Sequence, residues 1–126
     1  MFRFEKLLVW QKAVEFADQV YTVTRGFPSD ERFGLTSQMR RAAVSISSNI
    51  AEGSSRASDT EFARFLEIAY GSLMEVVSQA QVAFRQTFLV EDSLNAIREK
   101  AEELSRMLSG LKGSLGGKAG RNQKSE

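Results

Sequence analysis

Seven side chains toward the C-terminal end, Leu94, Ile97, Ala101, Leu104, Leu108, Leu111 and Leu115, recur at alternating steps of three and four residues. No other feature restricts the fold so strongly. Such steps keep a set of side chains on one side of an α-helix, whereas a strand would throw alternate residues to opposite faces. Glu99, Glu102 and Glu103 mark the side left to water. A helix that is apolar along one side has to bury that side against something.

Three further helical segments supply the partners. The first covers about 7–25. Leu7, Trp10, Val14, Ala17 and Tyr21 form one stripe, with Val9, Ala13, Phe16, Val20 and Val23 beside it and Gln11, Glu15, Asp18 and Thr22 on the polar side. Two adjacent stripes are wider than one core requires, so one of them is expected to meet another subunit. Pro28 disfavours helical geometry in the residue before it and ends the segment. The second segment, about 33–52, has Leu35, Met39, Ala43, Ile46 and Ile50 as its core stripe. Its small residues Ala42, Ser45, Ser47, Ser48 and Ala51 let a neighbouring backbone come close. Gly53 reads as its C-terminal cap in the left-handed conformation.

The third segment, about 58–87, opens with the capping-box pattern Ser58-Asp59-Thr60-Glu61. Phe62, Leu66, Ala69, Leu73, Val76, Ala80 and Ala83 carry its stripe over a length of about 42 Å at 1.5 Å per residue. Gly71 in its middle costs about 1 kcal/mol relative to alanine, which points to close packing there. The fourth segment is about 92–112. Beyond it the glycines thicken, and 113–126 read as a flexible basic tail. Four amphipathic helices with short connections predict an all-α fold, an antiparallel up-down-up-down four-helix bundle occupying 1–112.

Charge and composition exclude most chemistry. Residues 1–109 carry 13 basic and 15 acidic side chains, while 110–126 carry four and one, so the body is nearly neutral and the tail basic. With no cysteine there is no disulfide, thiolate nucleophile or cysteine-ligated metal. With no histidine, the commonest general base and metal ligand is missing. The serines have no basic partner at a recognisable spacing, and no glycine-rich loop follows a strand. An all-carboxylate metal site would have only Glu52, Glu61, Glu67 and Glu75 to draw on, residues that read more simply as capping and surface-pairing groups. The expectation is no catalytic residue, no cofactor, no metal and no small-molecule substrate. No run approaches the ~18 apolar residues of a membrane span, and Met1–Lys6 lack a signal layout, so a soluble cytoplasmic protein with no membrane partner is expected.

One polar set resists a purely structural account. Gln38, Arg40 and Arg41 lead into Ser45, Asn49 and Glu52, and Arg56 and Arg64 follow. Arg40 and Arg41 point about 100° apart on a helix of 3.6 residues per turn, so only one can share a face with Gln38, Ser45 and Asn49. Either an arginine fixes helix register by pairing with Glu52 or Glu75, or Arg40, Arg41, Arg56 and Arg64 form a phosphate-contacting or assembly surface, for which the planar guanidinium is suited. The basic tail residues Lys112, Lys118, Arg121 and Lys124 read first as solubilising charge.

The segments Leu8–Ala13, Gln38–Ile46 and Ser48–Gly53, followed by Phe62, Phe65-Leu66 and Ala69–Glu75, resemble in order the four-helix bundle family of 23S rRNA intervening sequence proteins, or S23 proteins. The likeness covers about residues 4–90. Ser47 departs from it, because relatives often have proline there. The family's signature positions fall on Trp10, Gln38, Arg40, Arg41, Asn49, Glu52, Gly53, Gly71, Ser72 and Glu75. The resemblance implies a ring-like homopentamer. It also implies nucleic-acid binding, as in related accessory proteins of diversity-generating retroelements, and it brings no catalytic residue with it. Two functions are therefore expected to compete: a non-enzymatic homo-oligomer that binds RNA or DNA through basic patches, and a structural or protein–protein interaction module with no nucleic-acid role.

Overall fold

The computed structural model describes the backbone of residues 1–125 and the side chains of residues 1–115. The described residues form four α-helices: α1 (Leu8–Thr24), α2 (Leu35–Ser54), α3 (Asp59–Arg85) and α4 (Glu91–Ser125). Single 3₁₀ turns lie at Arg3–Lys6 and Ser29–Glu31. Each helix packs on the next in the chain and α1 closes against α4, while the backbones of the diagonal pairs stay more than 8 Å apart among the described residues. That arrangement is the up-down-up-down bundle expected of short connections.

The heptad of α4 is the spine of the core. Leu94, Ile97, Ala101, Leu104, Leu108 and Leu115 are buried and Leu111 is half-buried. Because Leu115 is a further turn of the same repeat and finds core to cover it, α4 does not stop at 112. The side chains from 116 onward, most of the segment read as a flexible basic tail over 113–126, lie outside the described residues. All seven stripe residues of α3 are buried, as are Met39, Ala43, Ile46 and Ile50 of α2, with Leu35 at the core's edge.

On α1 the stripe in the core is Val9, Ala13, Phe16 and Val20. In the neighbouring stripe only Ala17 is buried, and Leu7 and Trp10 sit at the margin. Part of that surplus width is covered from within the chain. Phe4 packs edge-on to Trp10 with ring centroids 5.0 Å apart, and the Arg40 guanidinium lies 4.6 Å from the Tyr21 ring centre.

Two glycines differ from expectation in opposite ways. Gly53 is not a left-handed cap, since no glycine among the described residues has positive φ and the residue lies within α2. It is glycine because α3 passes so close: a β-carbon there would meet Phe65 Cβ at 2.5 Å and Phe62 Cδ1 at 3.0 Å. Gly71 was expected at a close approach, yet a β-carbon there would meet nothing within 4 Å.

The helix ends are closed by local bonds. Ser58 Oγ accepts from Glu61 N at 3.2 Å, one half of the capping box. After α3, Thr87 takes φ 67°, Thr87 N donates to Phe84 O and Phe88 N donates to Ala83 O. Those bonds form a Schellman closure with threonine at the position glycine prefers.

Candidate functional site

The second exposed periodicity of the molecule lies on α3. Arg64, Ile68, Gly71, Glu75, Ser78, Val82 and Arg85 recur at alternating steps of four and three, and all of them face solvent. Ile68 and Val82 keep 45% and 48% of their surface exposed. The spacing keeps them in one strip along the helix, an outer seam displaced around it from the stripe that faces the core, with Ile68 and Val82 as its apolar members. The sequence reading identified the buried stripe and overlooked this one.

Beside the seam, α2 and α3 enclose an open groove of about 400 Å³ lined by Gln38, Arg41, Ser45, Ser72, Glu75 and Gln79 among others. The small side chains of α2 make the groove. Ser45 Oγ and Ser72 Oγ share a 2.9 Å hydrogen bond across it, and Asn49 Nδ2 donates to Ser45 O and Oγ at 2.8 and 3.0 Å. Gln79 Oε1 is buried and accepts no hydrogen bond. Arg41 and Glu75 both line the groove, but neither has an ion-pair partner among the described residues.

The fold thus collects Gln38, Arg41, Ser72 and Glu75, reaches Asn49 through Ser45, and places Gly71 on the adjoining seam. Other nominated residues go elsewhere. Arg40 turns to α1, where its Nε donates to Thr24 Oγ1 at 2.9 Å, as the 100° divergence from Arg41 requires. Arg56 bonds Glu52 at 3.0 Å and lies 4.8 Å from the Phe65 ring centre. Together with Gly53 these lie at the C-terminal end of α2 and the turn that follows it, where Arg3, overlooked in the sequence, donates to Ser54 O and covers Phe62. Trp10 lies on α1. Of the four arginines singled out, Arg40 and Arg56 are engaged within the chain. Arg41 and Arg64 are exposed and have no carboxylate within ion-pair range among the described residues.

Electrostatics elsewhere are sparse. Lys112 Nζ lies 2.8 Å from Glu67 Oε1, tying α4 to α3, and its hydrogen bond and charge hold the Glu67 carboxyl below the usual range. Among the described residues no group of three carboxylates stands close enough to hold a metal ion. None of the described helices is long and apolar enough to cross a membrane.

A four-helix bundle with a paired-helix outer face and a shallow polar groove defines the class. The chain belongs to the family of 23S rRNA-intervening sequence proteins, whose family model matches residues 5–110. A protein of unknown function from the S23 ribosomal protein family of Bacteroides thetaiotaomicron has the same fold. It superposes with a TM-score of 0.77 at 22% identity, over 83% of this chain and 98% of its own. At that identity the likeness speaks for the fold alone. No curated protein matches the chain.

Proposed function

We propose that the chain is a non-enzymatic assembly module that docks further copies of itself on the outer face of α2 and α3. The observation that carries this reading is Gly71. It lies mid-helix, lowers helix stability by about 1 kcal/mol relative to alanine, and has no neighbour in its own subunit. A glycine in the centre of a seam lets another helix approach closely, which accounts for its presence on a surface where alanine would suit the lone subunit better.

A second copy is the occupant that fits. Ile68 and Val82 are 14 positions apart, about 21 Å along one side of the helix, and both are exposed. The docking face also carries unpaired charge of both signs, so a copy brings the complement of each.

The test is molar mass by light scattering after size exclusion. Wild type should elute as a multiple of 14.1 kDa, five copies if the resemblance extends to subunit number, and Ile68→Glu should elute as a folded single subunit. A wild-type protein that stays single at high concentration, or an Ile68→Glu variant of unchanged mass, would refute the reading.

A second reading is favoured by Arg41 and Arg64, which stand exposed on one face without carboxylate partners. On this reading the α2–α3 face stays open and the copies are joined elsewhere, so that the assembly repeats the two arginines along a strand of RNA or DNA and gains avidity. Retention of RNA on filters at low salt, lost with Arg64→Gln, is its expected signature. Absence of retention at low salt removes it.

A further inference from the structure

Four consecutive members of the α3 seam read as their own complement. Arg64, Ile68, Gly71 and Glu75 are all exposed and lie within a strip about 60° wide, at 100° per residue. Run in reverse against itself, the series sets Arg64 opposite Glu75 and Ile68 opposite Gly71. A cation then meets an anion, and a branched apolar side chain meets the residue that has none. Arg64 and Glu75 are 11 positions apart, about 16–17 Å along the helix, too far to pair within one chain. Neither has an opposite charge in ion-pair range among the described residues, and Glu67, one turn on from Arg64, is already held by Lys112. A β-carbon at Gly71 would meet nothing within 4 Å, so the notch there is open.

Resting on the self-docking reading above, we infer that two copies join through α3 run antiparallel, about a twofold axis level with the peptide bond between Ala69 and Tyr70. In such a contact residue i meets j and j meets i, so each interface holds two Arg64–Glu75 pairs and two Ile68 side chains, each seated at Gly71 of the other copy. One turn out, Ser78 stands opposite Glu61, to whose carboxylate its hydroxyl donates. Beyond it Val82 lies over Ala57, exposed in the turn before α3. Charge selects this register. Centring the pair on Glu75 would set Ile68 against Val82 but stand two Glu75 carboxylates face to face. Centring it on Gly71 would set Glu75 against Glu67. No other antiparallel register places Arg64 against a carboxylate and Gly71 against an apolar seam residue together. A pairing of this kind closes on itself, so the copies are even in number: two, or two rings joined face to face.

Charge reversal tests the register, at low salt because the pairs are exposed. Arg64→Glu and Glu75→Arg should each weaken self-association about tenfold, since two attractions per interface become two repulsions. Mixed one to one, the two variants should pair with each other at wild-type strength, because a mixed pair restores opposite charge at both contacts. A double variant with both changes in one chain should self-associate like wild type. Light scattering over a dilution series reads each mass, and far-ultraviolet circular dichroism confirms that the helices are intact.

Self-association untouched by the single reversals overturns the register. So does a mixture or double variant that stays as weak as the single variants, or an assembly with an odd number of copies. In those cases, if Ile68→Glu still dissociates the protein, the docking face stands without this pairing. If Ile68→Glu leaves the assembly intact, the face itself is wrong and the register goes with it.

Discussion

Alanine at Gly53 and alanine at Gly71 are the same change on two helices of one bundle, and the packing gives them opposite signs. At Gly53 the new methyl would stand 2.5 Å from Phe65 Cβ and 3.3 Å from Phe65 Cγ. Carbon atoms rest at about 3.5–4.0 Å, so α2 and α3 must part locally by about 1 Å. Phe65 Cβ is bonded to the α3 backbone and cannot rotate away, which places the penalty high in the range of about 1–3 kcal/mol seen for overpacked cores. Alanine's better helix propensity returns about 1 kcal/mol. The net expectation is a loss of about 1–2 kcal/mol, taking the difference of those two ranges. At Gly71 only the propensity gain applies, so the subunit should become about 1 kcal/mol more stable. Urea unfolding followed by circular dichroism, in an Ile68→Glu background that keeps docking out of the comparison, measures both. A Gly53→Ala protein as stable as its parent, or a Gly71→Ala protein less stable, would show that the close approach and the open face are misassigned.

Three further outcomes follow from single contacts. Thr87→Gly should raise stability by about 1 kcal/mol, because a left-handed β-branched residue is strained by about 1–2 kcal/mol and glycine is not; thermal unfolding reads the gain. Thr24→Val leaves the Arg40 Nε without its acceptor and should lose about 1–2 kcal/mol, and a double-mutant cycle with Arg40→Met should show that the two residues are coupled. Lys112→Gln should let the Glu67 carboxyl rise toward its usual range in an NMR titration. Since Glu67 is held low in the folded chain, the small stability it contributes is present above its unfolded pKa and is lost as pH falls through the folded value.

The helical stripes were legible in the sequence because burial selects one face, and a period of three and four residues exposes that choice at once. Val9–Val20, Met39–Ile50, Phe62–Ala83 and Leu94–Leu108 all reached the core for that reason. Capping was half legible: Ser58 accepts from Glu61 N as its spacing predicts. Gly53 and Gly71 were beyond reach, since a glycine's reason lies in what stands opposite it. Only the path of α3 shows that Phe65 crowds one glycine and that nothing in the subunit approaches the other. The site was legible in part. Gln38, Arg41, Ser72 and Glu75 were singled out on separate segments, and the antiparallel pairing of α2 with α3 joins them. Arg40 and Arg56 look identical to Arg41 as residues, and only the positions of Thr24, Tyr21 and Phe65 show that they are engaged. Gln79 carried no signal, because an unmet hydrogen bond exists only once a side chain is buried.

Hydroxyl-radical footprinting of the protein, dilute and concentrated, tests the central claim most directly. If further copies cover the outer face of α2 and α3, oxidation of Ile68 and Val82 should fall severalfold as concentration rises, and Phe33 and Val90, exposed beyond that face, should keep their dilute rates. Equal oxidation of Ile68 and Val82 at both concentrations, or protection confined to Phe33 and Val90, would contradict it.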